Sequence, residues 1–368
     1  MVVVATAGLV AAAEPSMAAT STAANSFTQT NLIANTAAAG AKFTDPNLIN
    51  AWGLAAGPNS PLWVSDNNSG FATVYSGGVK GSAVTLDLTV PVPGNNPTGQ
   101  VFNSSTSFPV GGASGNPAVF IIDSDSVGST QSPGEIAAWN GGAAFTVEDN
   151  AAGAVGGKIP AGAVFKGLAI ATTPTAGPEL FATDVANGKV DIFNKSFASI
   201  RRPKEFQDPA LPAGYVPFGI QNLQNKIYVT YGKQNAAKTD VLRGKGLGYV
   251  DVYSVNGRLL HHLVNGGAGS KLNAPWGLAI GPKGFGPFAG DLLVGNLGNG
   301  WINAFNPTTG AFLGSLDGPL GAAYPIAING LWGIKAGSSA FGGTGSLIFS
   351  AGPAGYDKGL VGILTPTS

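Results

Sequence analysis

Short runs in which apolar and polar residues alternate, each opened by a glycine, recur along the chain. They are GFATVYS from residue 70, GEIAAWN from 134, GKVDIFN from 188, GYVDVYS from 248, GWINAFN from 300 and GLVGILT from 359. A period of two sends successive side chains to opposite faces, so each run predicts a strand with one face toward a core. A second apolar stretch precedes each run: PLWVSD, VFIIDS, LFATDV, KIYVTY, LLVGN and LIFSAG. Another usually follows, as in AVTLDLTV, AAFTVED, LLHHLV and AFLGSL. Farther upstream stands a residue, mostly aromatic, then glycine, then an aliphatic: Trp52-Gly53-Leu54, Lys166-Gly167-Leu168, Phe218-Gly219-Ile220, Trp276-Gly277-Leu278 and Trp332-Gly333-Ile334. The glycine intervals are 114, 52, 58 and 56. The first is two units long, which predicts a hidden copy near residue 115, at Asn116-Pro117-Ala118-Val119-Phe120.

Six units of four short strands predict an all-β fold, a six-bladed β-propeller. The glycine in each first strand has a physical reason, because strands nearest the axis crowd and a missing side chain lets backbones approach. The sixth unit reaches Ser368 just after its third strand, so FTQTNLI, residues 27 to 33, is expected to supply the fourth and close the ring. The propeller domain is therefore placed at 26–368. Residues 1–25 read as a leader, with the apolar MVVVATAGLVAAA too short to span a bilayer and small residues after it, so the protein is expected outside the cytoplasm, secreted or periplasmic. No later run is long and apolar enough for a transmembrane helix.

Composition narrows the chemistry. With 19 basic and 19 acidic side chains there is no net field to hold a polyanion, which excludes nucleic acid as the main partner. The 56 glycines and 25 prolines favour turns over helices. Without cysteine and with only His261 and His262, thiolate zinc sites, disulfides and three-histidine centres are excluded, and a bound metal is expected to have oxygen ligands. The serine nucleophile elbow, the P-loop, the dinucleotide fingerprint and the H-E-x-x-H motif are absent.

The ends of the second strands place Asp66, Asp123, Asp184, Tyr231, Asn296 and Ala351 around one mouth of the channel. Asp66, Asp123, Asp184 and Asn296 could hold Ca²⁺ through oxygen, or each could cap its own turn. Trp52, Lys166, Phe218, Trp276 and Trp332 make a second quasi-ring, suited either to stacking on a ligand or to filling the wedge between blades. Long connections at 91–115, 203–217 and Gly232–Leu247 are assigned to this same face, and KGFGPFAG, 283–290, to the opposite one. The Gly232–Leu247 loop carries Lys233, Lys238, Arg243 and Lys245, either an anion clamp or a solvated loop. In LLHHLV the adjacent histidines point to opposite strand faces, one toward a neighbouring blade and one to solvent. Asp123 and Asp125 lie in a turn-rich context that weakens them as an acid/base pair.

Leu62-Trp63-Val64-Ser65-Asp66 followed by GFATVYS resembles the NHL repeat of six-bladed propellers. DPNLINAWGLA, SPLWVSDNNSG and the stretch from Leu272 to Gly314 are similar to a family of exported bacterial proteins, some with a PEP-type sorting tail. That resemblance implies a propeller outside the cytoplasm and no particular activity. Family members often carry histidines where Lys238-Thr239-Asp240 and Lys358 stand, so a metal held there in relatives would be lost or changed here. Two functions follow as expectations. The first is a binding module for a small molecule, glycan or protein at the loop-rich mouth, through Trp52, Asp66, Asp123, Asp184, Phe218, Tyr231, Trp276, Asn296 and Trp332. The second is a Ca²⁺-dependent lactonase or ester hydrolase using the mouth carboxylates.

Overall fold

The computed structural model describes residues 1, 25–111, 115–125, 134–148, 162–320 and 324–367. The proposed leader, after Met1 and up to residue 24, lies outside them. Six antiparallel sheets follow one another along the chain, each strand pairing with the next in sequence order. Their inner strands are Ala51–Ala55, Pro97–Phe102, Phe165–Thr173, Tyr215–Leu223, Pro275–Ile280 and Leu331–Ala336. These are the expected six blades.

Closure occurs as the sequence predicts. Phe27–Ala34 pairs antiparallel with Leu360–Pro366, with Phe27 opposite Pro366 and Ala34 opposite Leu360, and becomes the outer strand of blade six. Phe43–Thr44 adds a short parallel pairing outside it. Phe27 is buried against Phe285 and Phe288, ring centroids 4.7 and 6.1 Å away, so the insertion at 283–290 seats the closing strand on blade five. The Phe27 N–H also donates to the Asp317 carbonyl at 2.8 Å.

The hidden unit is not at residue 115. Blade two begins with Pro97–Phe102, and its inner glycine is Gly99, within Thr98-Gly99-Gln100. Polar residues flank that glycine, so a search for an aromatic before it and an aliphatic after it passes over it. Phe120, the end of the stretch proposed instead, opens the second strand of blade two, Phe120–Ser124.

A Cβ on Gly53 would stand 2.2 Å from the Thr98 carbonyl, on Gly99 2.3 Å from the Leu168 N–H nitrogen, and on Gly219 2.2 Å from the Trp276 carbonyl. On Gly277 and Gly333 it would reach the Trp332 and Trp52 carbonyls at 2.6 and 2.7 Å. Contacts this short exclude any side chain, so five of the six blade pairs meet backbone to backbone at the axis; Gly167 is looser, 3.2 Å from the Phe218 carbonyl. A register irregularity recurs at the same place in every inner strand, as between Ala51 and Leu54 or Leu331 and Ile334, which bends each strand at its glycine. Six of the hydrophobic clusters among the described residues each join two adjacent blades, and a seventh lies at the axis. Stability is therefore spread around the ring instead of being held in one central core.

Inner strands start at what we call the upper face and end at the lower face. Loops after second and fourth strands return to the upper face. Gly232–Leu247 lies there, as expected, and so does the connection leading to Tyr215. Residues 91–115 do not form one upper loop: they contain the inner strand 97–102, which ends at the lower face, where the second strand begins at Phe120.

Candidate functional site

The upper mouth of the channel is filled by aromatic rings. Trp52 and Trp332 stack with centroids 3.4 Å apart and planes 14° apart. Trp276 meets both edge-on at 6.2 and 6.1 Å, Phe218 meets Trp332 at 6.1 Å, and Tyr356 stacks over Trp332 at 5.6 Å. Trp332 donates from Nε1 to Asn50 Oδ1 at 2.9 Å, and Trp276 from Nε1 to the Lys166 carbonyl at 2.8 Å. Lys166 lies in this layer, nearly fully buried, with Nζ 2.7 Å from Asp125 Oδ2 and 5.1 Å from the Trp52 ring centre. The ammonium thus has both a carboxylate and a ring face, which offsets the cost of its burial. Val241 from the long Gly232–Leu247 loop packs into the same cluster, and Arg243 lies over Tyr356. Trp52, Phe218 and Trp332 present at most 3% of their surface to solvent. Trp276 is half-buried and lines the channel beneath.

The second-strand residues serve their own blades. Asp66 accepts from Thr73 Oγ1 at 2.7 Å, and Asp123 from Thr98 Oγ1 at 2.8 Å. Asp184 accepts from the Val164 and Asn187 N–H groups, both at 3.1 Å. Asn296 accepts from the Asn273 N–H and donates to the Lys271 carbonyl, and the Tyr231 hydroxyl meets that of Tyr253 at 2.6 Å. These are turn and interstrand contacts. Asp66, Asp123 and Asp184 do not draw together into a ligand cluster of their own. Burial raises Asp66 well above the usual carboxylate range and pushes Asp123 up to about 7, against hydrogen bonds that favour the charged forms. One oxygen of each, Asp66 Oδ1 and Asp123 Oδ2, has no hydrogen-bond partner.

Below the aromatic layer, Leu54, Leu168, Ile220, Leu278 and Ile334 line a neck holding a cavity of about 20 Å³. These are the aliphatics that follow the inner glycines. The channel then opens at the lower face into a funnel of about 500 Å³. Its wall includes Gln100, Asn103, Gln221, Asn222 and Lys335. Asn103 and Asn222 are used internally: Asn103 Nδ2 donates to the Ala118 carbonyl at 2.8 Å, and Asn222 Nδ2 to the Ile170 carbonyl at 2.9 Å. Gln100 is half used, since its Nε2 donates to the Gly53 carbonyl at 2.8 Å while its buried Oε1 has no partner. Lys335 is half-buried, forms no ion pair among the described residues, and is held below the usual lysine pKa by desolvation alone. The funnel thus offers an unmatched cation and an unmatched acceptor.

Sequence reasoning missed Gln100 and Lys335. Gln100 lies in the repeat that was not found, and Lys335 reads as an ordinary lysine unless the strand is known to end in a channel. It also missed the group of metal-ligating side chains that converges among the described residues, Asp208, Asp251 and His262 on blade four. His262 is partly buried and His261 exposed, as their alternation predicts, but Asp208 comes from a distant connection.

No protein-family profile matches the chain. Two uncharacterised proteins of Acanthamoeba polyphaga mimivirus are similar to it. One is 28% identical over 307 residues, covering 80% of this chain and 70% of the relative; the other is 27% identical over 346 residues, covering 87% and 81%. These relatives are viral, so they lend nothing to the bacterial exported family. Among solved structures, an α-L-arabinanase from Penicillium chrysogenum complexed with arabinobiose aligns with a TM-score of 0.55 at 13% identity, covering 86% of this chain and 93% of that one. The apo aldose sugar dehydrogenase from Escherichia coli aligns with a TM-score of 0.53 at 12% identity, covering 93% and 100%. These likenesses concern the propeller fold alone.

Proposed function

We propose that this chain is a ligand-binding propeller that takes a small hydroxylated anion, such as a hydroxy acid or sugar acid, into the funnel at its lower face. The observation that carries this reading is Lys335, a desolvated ammonium without a carboxylate partner on the wall of a 500 Å³ polar cavity. A partly desolvated ammonium with no ion-pair partner is a place where an anionic ligand supplies the match. Gln100 Oε1, bare but buried in the wall, adds an acceptor that a ligand hydroxyl would reach if the side chain turned toward the funnel. The upper mouth supports a ligand site less well, because its tryptophans fill it by packing on one another. The calcium-hydrolase reading also has less support, since its carboxylates are committed to separate turns.

The test is a thermal-shift panel of small hydroxy acids and sugar acids, with the neutral sugars as controls. Acids should raise Tm in the natural chain and leave Lys335→Met unmoved. If no acid shifts the melt, or if the shift survives in Lys335→Met, this reading fails. We also propose export, on the strength of the apolar leader; N-terminal sequencing of protein recovered outside the cell, starting beyond residue 13, is the expected result.

A further inference from the structure

Three side chains from separate parts of the sequence meet on the outer half of blade four. Asp251 lies on the third strand, Tyr249–Ser254, directly opposite His262 on the fourth, Leu259–Val264. Asp208 belongs to the connection that leads from blade three into blade four. His262 Nδ1 is 2.5 Å from Asp208 Oδ2 and 2.8 Å from Asp251 Oδ1. Distance alone would make these ion pairs. Orientation does not, because none of the three converging atoms has a hydrogen-bond partner.

Two further features separate this cluster from a surface group of charges. The Asp208 and Asp251 side chains are 1% and 0% exposed. Their outward oxygens are held by the protein: Asp208 Oδ1 accepts from the Ala210 N–H at 2.8 Å, and Asp251 Oδ2 from the Tyr253 hydroxyl at 3.2 Å. Each carboxylate is therefore oriented by one oxygen and leaves the other bare, the arrangement by which outer groups aim metal ligands. A single imidazole proton cannot serve two carboxylate oxygens at once, and with both carboxylates ionised a protonated His262 would still leave the group one negative charge in excess. A divalent cation between two carboxylates and a neutral imidazole brings the sum to zero.

We propose that Asp208, Asp251 and His262 form a binding site for a first-row divalent metal ion, with Zn²⁺ the best match. One nitrogen and two oxygens suit that class, whereas Ca²⁺ takes six to eight oxygen ligands. Bonds of about 2.0–2.2 Å need the three atoms to separate to roughly 3.3–3.5 Å, an opening of under about 1 Å on each of the two measured edges. The three converging atoms are themselves buried, while the rest of the His262 side chain is 22% exposed, so a water completing the coordination would enter with the ion. The ion fixes the connection between blades three and four to the outer strands of blade four. That connection already inserts Phe206 between Phe181 and Tyr253 and pairs Arg202 with the buried Glu179. The site lies on the outer strands, apart from the funnel, so it stands whether or not the anion reading does.

The experiment is calorimetric titration of chelator-stripped protein with Zn²⁺, and with Co²⁺ followed by its visible absorption. One equivalent of Zn²⁺ should bind and raise Tm, and Co²⁺ should show the intense bands of a four-coordinate site. His262→Gln and Asp208→Asn should each weaken binding by at least about 100-fold, while His261→Gln leaves it intact. Substoichiometric Zn²⁺ uptake by the natural chain, or unchanged affinity in the two site variants, overturns the proposal. Should His262→Gln fail to fold, Asp208→Asn decides, because Asp208 lies in a connection and its change removes no strand pairing.

Discussion

The two ends of the same six inner strands have opposite characters. At the upper end Trp52, Trp276 and Trp332 seal the channel by packing on one another; the Trp276 and Trp332 indoles are hydrogen-bonded, and Trp52 Nε1 is buried without a partner. At the lower end the wall is half-exposed, and it carries an amide oxygen and an ammonium that nothing matches. Trp332 and Lys335 make the contrast on one strand, three residues apart. Ring closure requires the upper end, where backbones touch; it does not require the lower end, where the strands splay and side chains are free to do chemistry.

The largest effect should come from one of the close backbone approaches around the axis. Gly219→Val puts a Cβ 2.2 Å from the Trp276 carbonyl, backbone that cannot move without moving blade five. We expect a loss on the order of 4 kcal/mol or more, read as insoluble protein or a collapsed denaturant midpoint. Gly345→Ala, in a lower-face loop with nothing within 4 Å, should stay within about 0.5 kcal/mol. Equal damage at both sites would erase the distinction between the faces. Trp332→Ala should follow at about 3–5 kcal/mol, since it removes a fully buried ring touching four others, whereas Gln221→Ala in the funnel should cost under about 1 kcal/mol. Matched urea melts of the pair would settle it.

Why the upper end was more legible than the lower follows from the same physics. Blade packing repeats one solution six times, so glycine, tryptophan and alternating strands recur and betray the ring, its closing strand and the face of each loop but one. The failure at blade two shows the limit: Thr98 and Gln100 solve the same packing problem by hydrogen bonds, Thr98 to Asp123 and Gln100 to the Gly53 carbonyl, and the apolar pattern vanishes. The funnel and the Asp208–Asp251–His262 cluster occur once each. Their members come from inner strands far apart in sequence, or from a connection and two strands, so no spacing announces them. The second-strand acids Asp66, Asp123 and Asp184 illustrate the converse, a pattern that is easy to see because each does structural work in its own blade.

A smaller effect tests the buried acids of the upper half by pH. The Asp123 carboxyl, pushed up from 3.8 to about 7 by burial, keeps its proton in the folded chain where the unfolded chain has released it. Stability should fall as pH rises from about 4 to 7, and this group should add no further slope above 7. In Asp123→Asn the fall across that window should be shallower than in the natural chain. Parallel curves from denaturant melts at each pH would show that Asp123 is ionised in the fold after all.

The smallest effect has the opposite sign and belongs to the lower face. Desolvation holds the Lys335 ammonium below its ordinary pKa, so between that lowered value and 10.5 the unfolded chain binds a proton the folded chain does not, and stability should climb with pH there. Lys335→Met keeps the stem and removes the charge. Freed of the desolvation cost, the variant should melt about 1–3 °C higher at neutral pH and lose the alkaline climb. A gain in stability at the very residue whose change abolishes anion capture is what a binding site built at structural expense requires. If Lys335→Met instead melts lower, the ammonium is paired within the fold, and the contrast between the two ends fails.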